Sequence, residues 1–74
     1  MKCEIIREIF NSCSGNQMRD VFVSEENIQD PETYVRNMLK GNIEEFEVDT
    51  MPNGDVVINV TVDKLRQRFS FSKD

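Results

Sequence analysis

The sequence predicts one α+β domain, in which a single helix packs on one face of an antiparallel sheet in the order β-β-α-β-β-β. One segment repeats apolar residues at helical spacing between good capping residues. The C-terminal half instead alternates apolar and polar residues, with turn signals between the runs. A chain of 74 residues has the length of one domain. Residues 1–74 are therefore expected to fold as a single unit.

The first 27 residues admit two interpretations. The apolar residues of MKCEIIREIF fit a helical stripe, but the segment is rich in β-branched and aromatic residues and QMRDVFV follows it. We favour a β-hairpin that turns at Gly15-Asn16, because three isoleucines lower helix propensity. An N-terminal helix in place of this hairpin is the alternative. The hairpin turn would pair Cys13 with Met18, Phe10 with Val21, Ile9 with Phe22 and Glu8 with Val23.

The clearest element is a helix at residues 31–40. Asp30 suits the N-cap position, and Pro31 suits the first helical position, where its missing N–H is not needed. Gly41 can adopt the left-handed conformation that ends a helix. Between these ends an apolar stripe recurs at helical spacing, and we expect it to cover the sheet. The stripe consists of Tyr34, Val35, Met38 and Leu39.

The second half of the chain predicts a three-stranded antiparallel meander. MPNGD is a hairpin signal, and a three-residue loop at 52–54 places Val48 opposite Ile58. A two-residue loop would place Val48 opposite Asn59 and lose the apolar match. A tight turn at 63–64 carries the same apolar face into the last strand. The predicted inward face consists of Phe46, Val48, Val56, Ile58, Val60, Val62, Leu65, Phe69 and Phe71.

The opposite face of this meander is polar. An acidic strand and a basic strand lie on either side of a neutral one, at about 4.8 Å per strand, so the arginines can lean toward the acids. A solvated, self-complementary face is the simpler interpretation, with at most about 1 kcal/mol for each ion pair. A docking surface, or a strand edge that a partner extends, is the functional one. The candidate interaction face consists of Glu45, Glu47, Asn59, Arg66 and Arg68.

Charge and composition narrow the class of partner. The net charge of −5 argues against nucleic acid, because phosphate binding requires a cationic surface. No apolar run approaches the roughly 18 residues of a membrane span, and the N-terminus lacks the core of a signal peptide. Two cysteines are too few for a disulfide scaffold. We therefore expect an acidic cytoplasmic protein with reduced thiols.

The loop NSCSGNQMRD gathers polar groups around a thiol and is the first candidate for a chemical site. A reactive thiol requires a nearby cation, a base or a helix N-terminus. The chain has no histidine, and Arg19 would approach Cys13 at best diagonally across the turn. A structural cysteine is thus favoured over a nucleophile. The candidate loop site consists of Cys13, Asn16 and Arg19.

No pattern in the chain is typical of an enzyme. The acids of residues 44–49 lie on an extended strand rather than on a turning calcium loop, and no phosphate-binding motif is present. We expect no catalytic residue, metal or cofactor. The sequence predicts a small non-enzymatic protein-binding or regulatory module whose partner is another protein, and it leaves the oligomeric state open. The alternative is a thiol-dependent role, in redox chemistry or sensing, centred on Cys13.

Overall fold

A computed structural model describes the backbone of residues 2–13 and 16–73 and the side chains of residues 2–10 and 19–73. In these residues five strands form one antiparallel sheet, in the spatial order β2-β1-β5-β4-β3. The predicted α+β class and the chain order β-β-α-β-β-β are confirmed. The elements are β1 (Lys2–Cys13), β2 (Asn16–Asn27), α1 (Pro31–Met38), β3 (Ile43–Thr50), β4 (Val56–Val62) and β5 (Leu65–Lys73).

The N-terminal segment is a hairpin, as favoured, but its predicted register was wrong by two residues. Phe10 lies opposite Arg19 rather than Val21, and Cys13 lies opposite Asn16 rather than Met18. Asn16 therefore belongs to β2, not to the turn, and residues 14 and 15 lie outside the described part of the chain. A shift of two residues keeps every side chain on its face of the sheet. For this reason the apolar pattern alone did not reveal the error.

The meander has both predicted registers. Val48 lies opposite Ile58, and Ile58 lies opposite Phe69. The three-residue loop is closed by a hydrogen bond of 2.7 Å, which the Met51 N–H donates to the carbonyl oxygen of Asp55. In the second turn Asp63 and Lys64 both have positive φ, 49° and 68°. This backbone matches the right-handed twist of the strands it joins.

The helix begins where predicted and ends two residues early. The Tyr34 N–H donates to the Asp30 carbonyl oxygen at 3.0 Å, which closes the first turn. Leu39 is already extended, with φ −81° and ψ 130°, so the helix ends at Met38. Gly41 has positive φ but lies in the link to β3 rather than at the helix end. Leu39 packs against the core from this extended position.

The core lies between the helix and one face of the sheet. The predicted inward face is fully buried at the centre, and it becomes more exposed toward β3, where 44% of Val48 is exposed. Gln67 is buried among these apolar residues, and its Oε1 accepts two hydrogen bonds from Arg7, at 3.1 and 2.9 Å. The buried apolar residues are Cys3, Ile5, Ile28, Val35, Ile58, Val60, Val62, Phe69 and Phe71.

Candidate functional site

The sheet is open, so its two outermost strands, β2 and β3, each pair with one neighbour. The free side of such a strand presents backbone N–H and C=O groups that another chain can bind. The helix covers one face of the sheet through Tyr34 and Val35. These two edges and the uncovered face, which we call the outer face, are the candidate binding surfaces of the sheet.

The free edge of β2 carries three consecutive exposed apolar residues. Val21 is 50% exposed, Phe22 55% and Val23 65%. Successive side chains of a strand point to opposite faces. Phe22 pairs with Arg7, which stacks on core residue Phe69, so Phe22 lies on the helix side and the two valines lie on the outer face. The edge is therefore apolar on both faces at one point.

Charged residues on either side of this apolar triplet attach β2 to β1. The Arg19 guanidinium lies 3.1 Å from the carboxylate of Glu8, and Lys2 lies 3.9 Å from Glu25. These pairs are partly or largely exposed, so each adds little to stability. The apolar triplet thus lies between two charged pairs that join β2 to β1.

The C-terminal end of β2 is tied to the helix. The Tyr34 hydroxyl donates a hydrogen bond of 2.5 Å to Glu26. Burial, and then the hydrogen bond and negative charge of Glu26, raise the pKa of Tyr34 to about 12. The hydroxyl therefore remains a hydrogen-bond donor to a higher pH than that of an ordinary tyrosine. Tyr34 also makes an edge-on ring contact with Phe71, at 5.9 Å between centroids.

The candidate interaction face forms two rows on the outer face of the sheet. The rows are Glu45–Thr61–Arg66 and Glu47–Asn59–Arg68, as the strand registers predicted. The expected approach of the arginines to the acids was wrong. Among the described residues no ion pair joins Arg66 or Arg68 to Glu45 or Glu47.

Arg68 turns instead toward the N-terminal hairpin. Its Nη1 lies 3.8 Å from the carboxylate of Glu8, its Nε donates to Asn59 at 3.3 Å, and its guanidinium lies 5.4 Å from the ring centre of Phe10. The reason is distance, because β1 is the strand next to β5, whereas β3 is two strands away. Glu8, only 14% exposed, therefore lies between Arg19 and Arg68.

The β3 edge differs from β2 in charge and regularity. Glu45, Glu47 and Asp49 are exposed on the outer face of β3. The pairing of β3 with β4 is interrupted between Ile43 and Glu45 by a bulge or similar irregularity. Acidic side chains and a bulge both disfavour the addition of another strand.

The predicted loop site is only partly described. Cys13 and Asn16 are backbone neighbours across the hairpin, and their side chains lie outside the described residues. Arg19 is described, and its guanidinium contacts Glu8 on the outer face. The thiol-dependent role of Cys13 therefore stays a prediction.

The apolar edge and Glu8 were not among the predicted site residues. The available signal was VFV itself, because three consecutive apolar residues in a strand cannot all face one core. Glu8 had no such signal. Its position between two arginines depends on the pairing of β1 with β5, which joins the two ends of the chain.

Comparison with protein-family models, with curated proteins and with solved structures gives no significant match to this chain. Within residues 2–13 and 16–73, no helix has the length and apolar character needed to cross a membrane. Over the same residues, no three metal-ligating side chains come together. The functional proposal accordingly rests on the geometry of the sheet.

Proposed function

We propose that this protein is a small non-enzymatic protein-binding module that binds its partner along the free edge of β2. The observation that carries the proposal is the exposed triplet Val21, Phe22 and Val23 beside an open backbone edge. In strand addition the backbone hydrogen bonds supply affinity, and the alternating side chains supply specificity. The β2 edge offers both.

The exposed triplet gives strand addition a source of free energy. Each of its three side chains is at least half exposed. Complete burial of one valine or phenylalanine side chain contributes about 1.5–3 kcal/mol. A strand laid against β2 would remove apolar surface from water on both faces at once. Exposed apolar residues that cluster at one point of a strand edge are a common mark of an interaction site.

The edge is also organised before any partner arrives. β2 pairs with β1 over its whole length, and its end is held by the hydrogen bond between Tyr34 and Glu26. Binding to an ordered strand avoids much of the entropy cost of ordering a loop. The outer face can take part as well, because Arg19 and Val21 lie on the same face as Arg68.

A photo-reactive benzophenone amino acid placed at position 22 tests the proposal in living cells. Position 48 is the matched control, because Phe22 and Val48 lie in one row on the same face, and they are 55% and 44% exposed. We expect irradiation to give a covalent protein adduct from position 22 and none from position 48. Equal adducts from both positions, or none from position 22, would overturn the proposal.

Two controls accompany this experiment. Circular dichroism and thermal unfolding of both labelled proteins must match those of the unlabelled chain, which shows that neither substitution disturbs the fold. Mass spectrometry of the adduct then identifies the partner and the contact residue. A contact residue within an extended segment of the partner supports strand addition.

A further inference from the structure

We propose that the partner at the β2 edge is a second copy of this chain, added antiparallel across a two-fold axis at Phe22. The inference rests on the proposed function, since it names the occupant of the same edge. Its basis is that β2 is complementary to itself. Over the first three steps outward from Phe22, each residue in one direction meets a suitable residue at the same step in the other, whereas at the fourth step Met18 meets Glu26.

The pairs in this register match in polarity and charge. Phe22 lies opposite Phe22 of the second copy, and Val21 lies opposite Val23 on each side of the axis. Two steps farther out, Arg19 lies opposite Glu25, again twice. Cross-strand apolar and opposite-charge pairs of this kind stabilise antiparallel strands. The symmetric dimer therefore contains one aromatic pair, two valine pairs and two ion pairs across the interface.

Neighbouring registers lose this match. Directly opposed residues of antiparallel strands point to the same face, so a symmetric pairing must centre on a residue. An axis at Val21 would place Asp20 against Phe22. An axis at Val23 would place Val21 against Glu25, and it would bring two acids, Asp20 and Glu26, together. The axis at Phe22 keeps the apolar triplet in contact with itself.

The charged residues have room for the additional contact. Arg19 already lies 3.1 Å from Glu8, yet its side chain is 57% exposed. Glu25 lies 3.9 Å from Lys2 and is 54% exposed. A guanidinium has five N–H donors in a planar fork, so one carboxylate does not saturate it. Across the interface, Arg19 and Glu25 would each gain an additional contact of opposite charge.

The proposed dimer leaves no β2 edge free. Each copy contributes five strands, so pairing at β2 gives one continuous sheet of ten with the outer faces of both copies on the same side. The remaining edges are the two β3 strands, which carry Glu45, Glu47 and Asp49 on that face. An isologous contact uses the same patch on both copies and leaves none free for a third. Assembly therefore stops at two copies.

Sedimentation equilibrium of the full chain over a range of concentrations tests the inference. An interface made by one pair of edge strands is small, and small interfaces have the weaker affinities among specific complexes. We therefore expect a dissociation constant on the order of micromolar to tens of micromolar. Arg19→Glu and Glu25→Arg each place like charges opposite one another twice, and each should weaken the dimer about tenfold or more. The double variant Arg19→Glu/Glu25→Arg should recover most of that loss. Glu47→Arg on β3 is the control and should leave the dimer unchanged.

A cysteine pair tests the register itself. In a Cys13→Ser background, Phe22→Cys places two thiols opposite one another, at the Cα separation of about 4.5–5.5 Å that a disulfide accepts. Ser24→Cys is the matched control, because Ser24 would lie opposite Asp20. We expect mild oxidation to give a covalent dimer from Phe22→Cys and much less from Ser24→Cys. Equal yields from both variants would show that the register is wrong.

The outcomes separate this inference from the proposed function. A chain that stays monomeric at millimolar concentration overturns the second copy as occupant. If position 22 nevertheless forms an adduct with a different protein, the binding edge stands and only its occupant changes. Should position 22 form no adduct and the chain stay monomeric, both proposals fail.

Discussion

The two edges of the sheet, β2 and β3, are built differently although one row of side chains runs from one to the other. The row runs from Phe22 on β2 through Arg7, Phe69 and Ile58 to Val48 on β3. Its two ends are similarly exposed, and its centre is buried. At β3 the strand is acidic and its start is irregular, between Ile43 and Glu45, whereas β2 pairs without interruption and is apolar on both faces.

The difference shows two ways in which one small sheet manages its edges. Charged side chains and bulges discourage the addition of another strand, and β3 has both. β2 has neither at its centre, where it presents Val21, Phe22 and Val23. Exposed apolar surface of this kind promotes aggregation unless a partner covers it. The contrast therefore favours β2 over β3 as the edge of the proposed interaction.

The largest expected effect is the loss of stability when a side chain at the centre of the shared row is removed, compared with a side chain at either end. Phe69→Ala should lower the free energy of unfolding by about 3–5 kcal/mol, because it leaves a cavity at a fully buried site. A domain this small has a net stability of the same order, so the variant should be largely unfolded. Phe22→Ala and Val48→Ala should each cost less than about 1 kcal/mol.

Urea unfolding of the three variants, at a protein concentration low enough to keep the chain monomeric, measures these differences. A loss at position 22 as large as that at position 69 would mean that Phe22 belongs to the core of the monomer. The β2 edge would then not be a free binding surface.

The next effect concerns the two loops that hold β3. Gly41 has φ +121°, and a β-carbon there would collide with the carboxylate of Asp63, which accepts a hydrogen bond from the Asn42 N–H at 3.2 Å. Gly41→Ala should therefore cost about 2–3 kcal/mol through strain and the loss of that contact. Gly54 has φ +94°, but a β-carbon there would lie 3.6 Å from its nearest neighbour, the flexible end of the Lys73 side chain. Gly54→Ala should cost only about 1 kcal/mol.

Thermal or urea unfolding of both alanine variants gives the comparison. The reverse order of stability would show that the contact between Asn42 and Asp63 does not hold the start of β3.

The smallest expected effect is at the anchored end of β2. Tyr34 is the only tyrosine and the chain has no tryptophan, so its ionisation can be followed by ultraviolet absorbance. Its pKa should be about 12 in the folded protein, compared with 10 in the unfolded chain. Because the pKa is higher in the folded protein, the protonated hydroxyl stabilises the fold. This stabilisation is complete below pH 10 and is lost as the pH rises toward 12.

Glu26→Gln tests the cause of this shift. The substitution removes a negative charge beside the hydroxyl, so the pKa of Tyr34 should move down toward 10. It should not return fully, because burial is the largest cause and remains. Ionisation of wild-type Tyr34 near pH 10 would contradict the contact with Glu26.

Local patterns predicted most of the fold. The register of both meander turns follows from PNG and DK together with alternation on one face, and Asp30-Pro31 correctly indicated the start of the helix. These features depend on residues only a few positions apart, and turn chemistry and parity determine them. The first hairpin was harder. Turns at 14–15 and at 15–16 both keep the same faces, so alternation did not distinguish them.

The candidate site was harder to predict from the sequence than the fold. Glu45, Glu47, Asn59, Arg66 and Arg68 share one face, as their registers predicted. The partner of Arg68 did not follow from those registers. Nothing local to the meander shows that β1 lies beside β5, since this pairing joins the two ends of the chain.

The sequence by itself determined which side chains share a face and where the chain turns. It also determined the self-complementary order of residues in β2. Only the tertiary structure decided the order of the strands, because non-local pairing depends on how the whole core closes rather than on any short segment. That order placed β5 at the centre, brought Arg68 to Glu8, and left β2 at an edge. In a central strand VFV would be core, whereas at the edge of the sheet it is exposed, and it is the surface that the proposed second copy would cover.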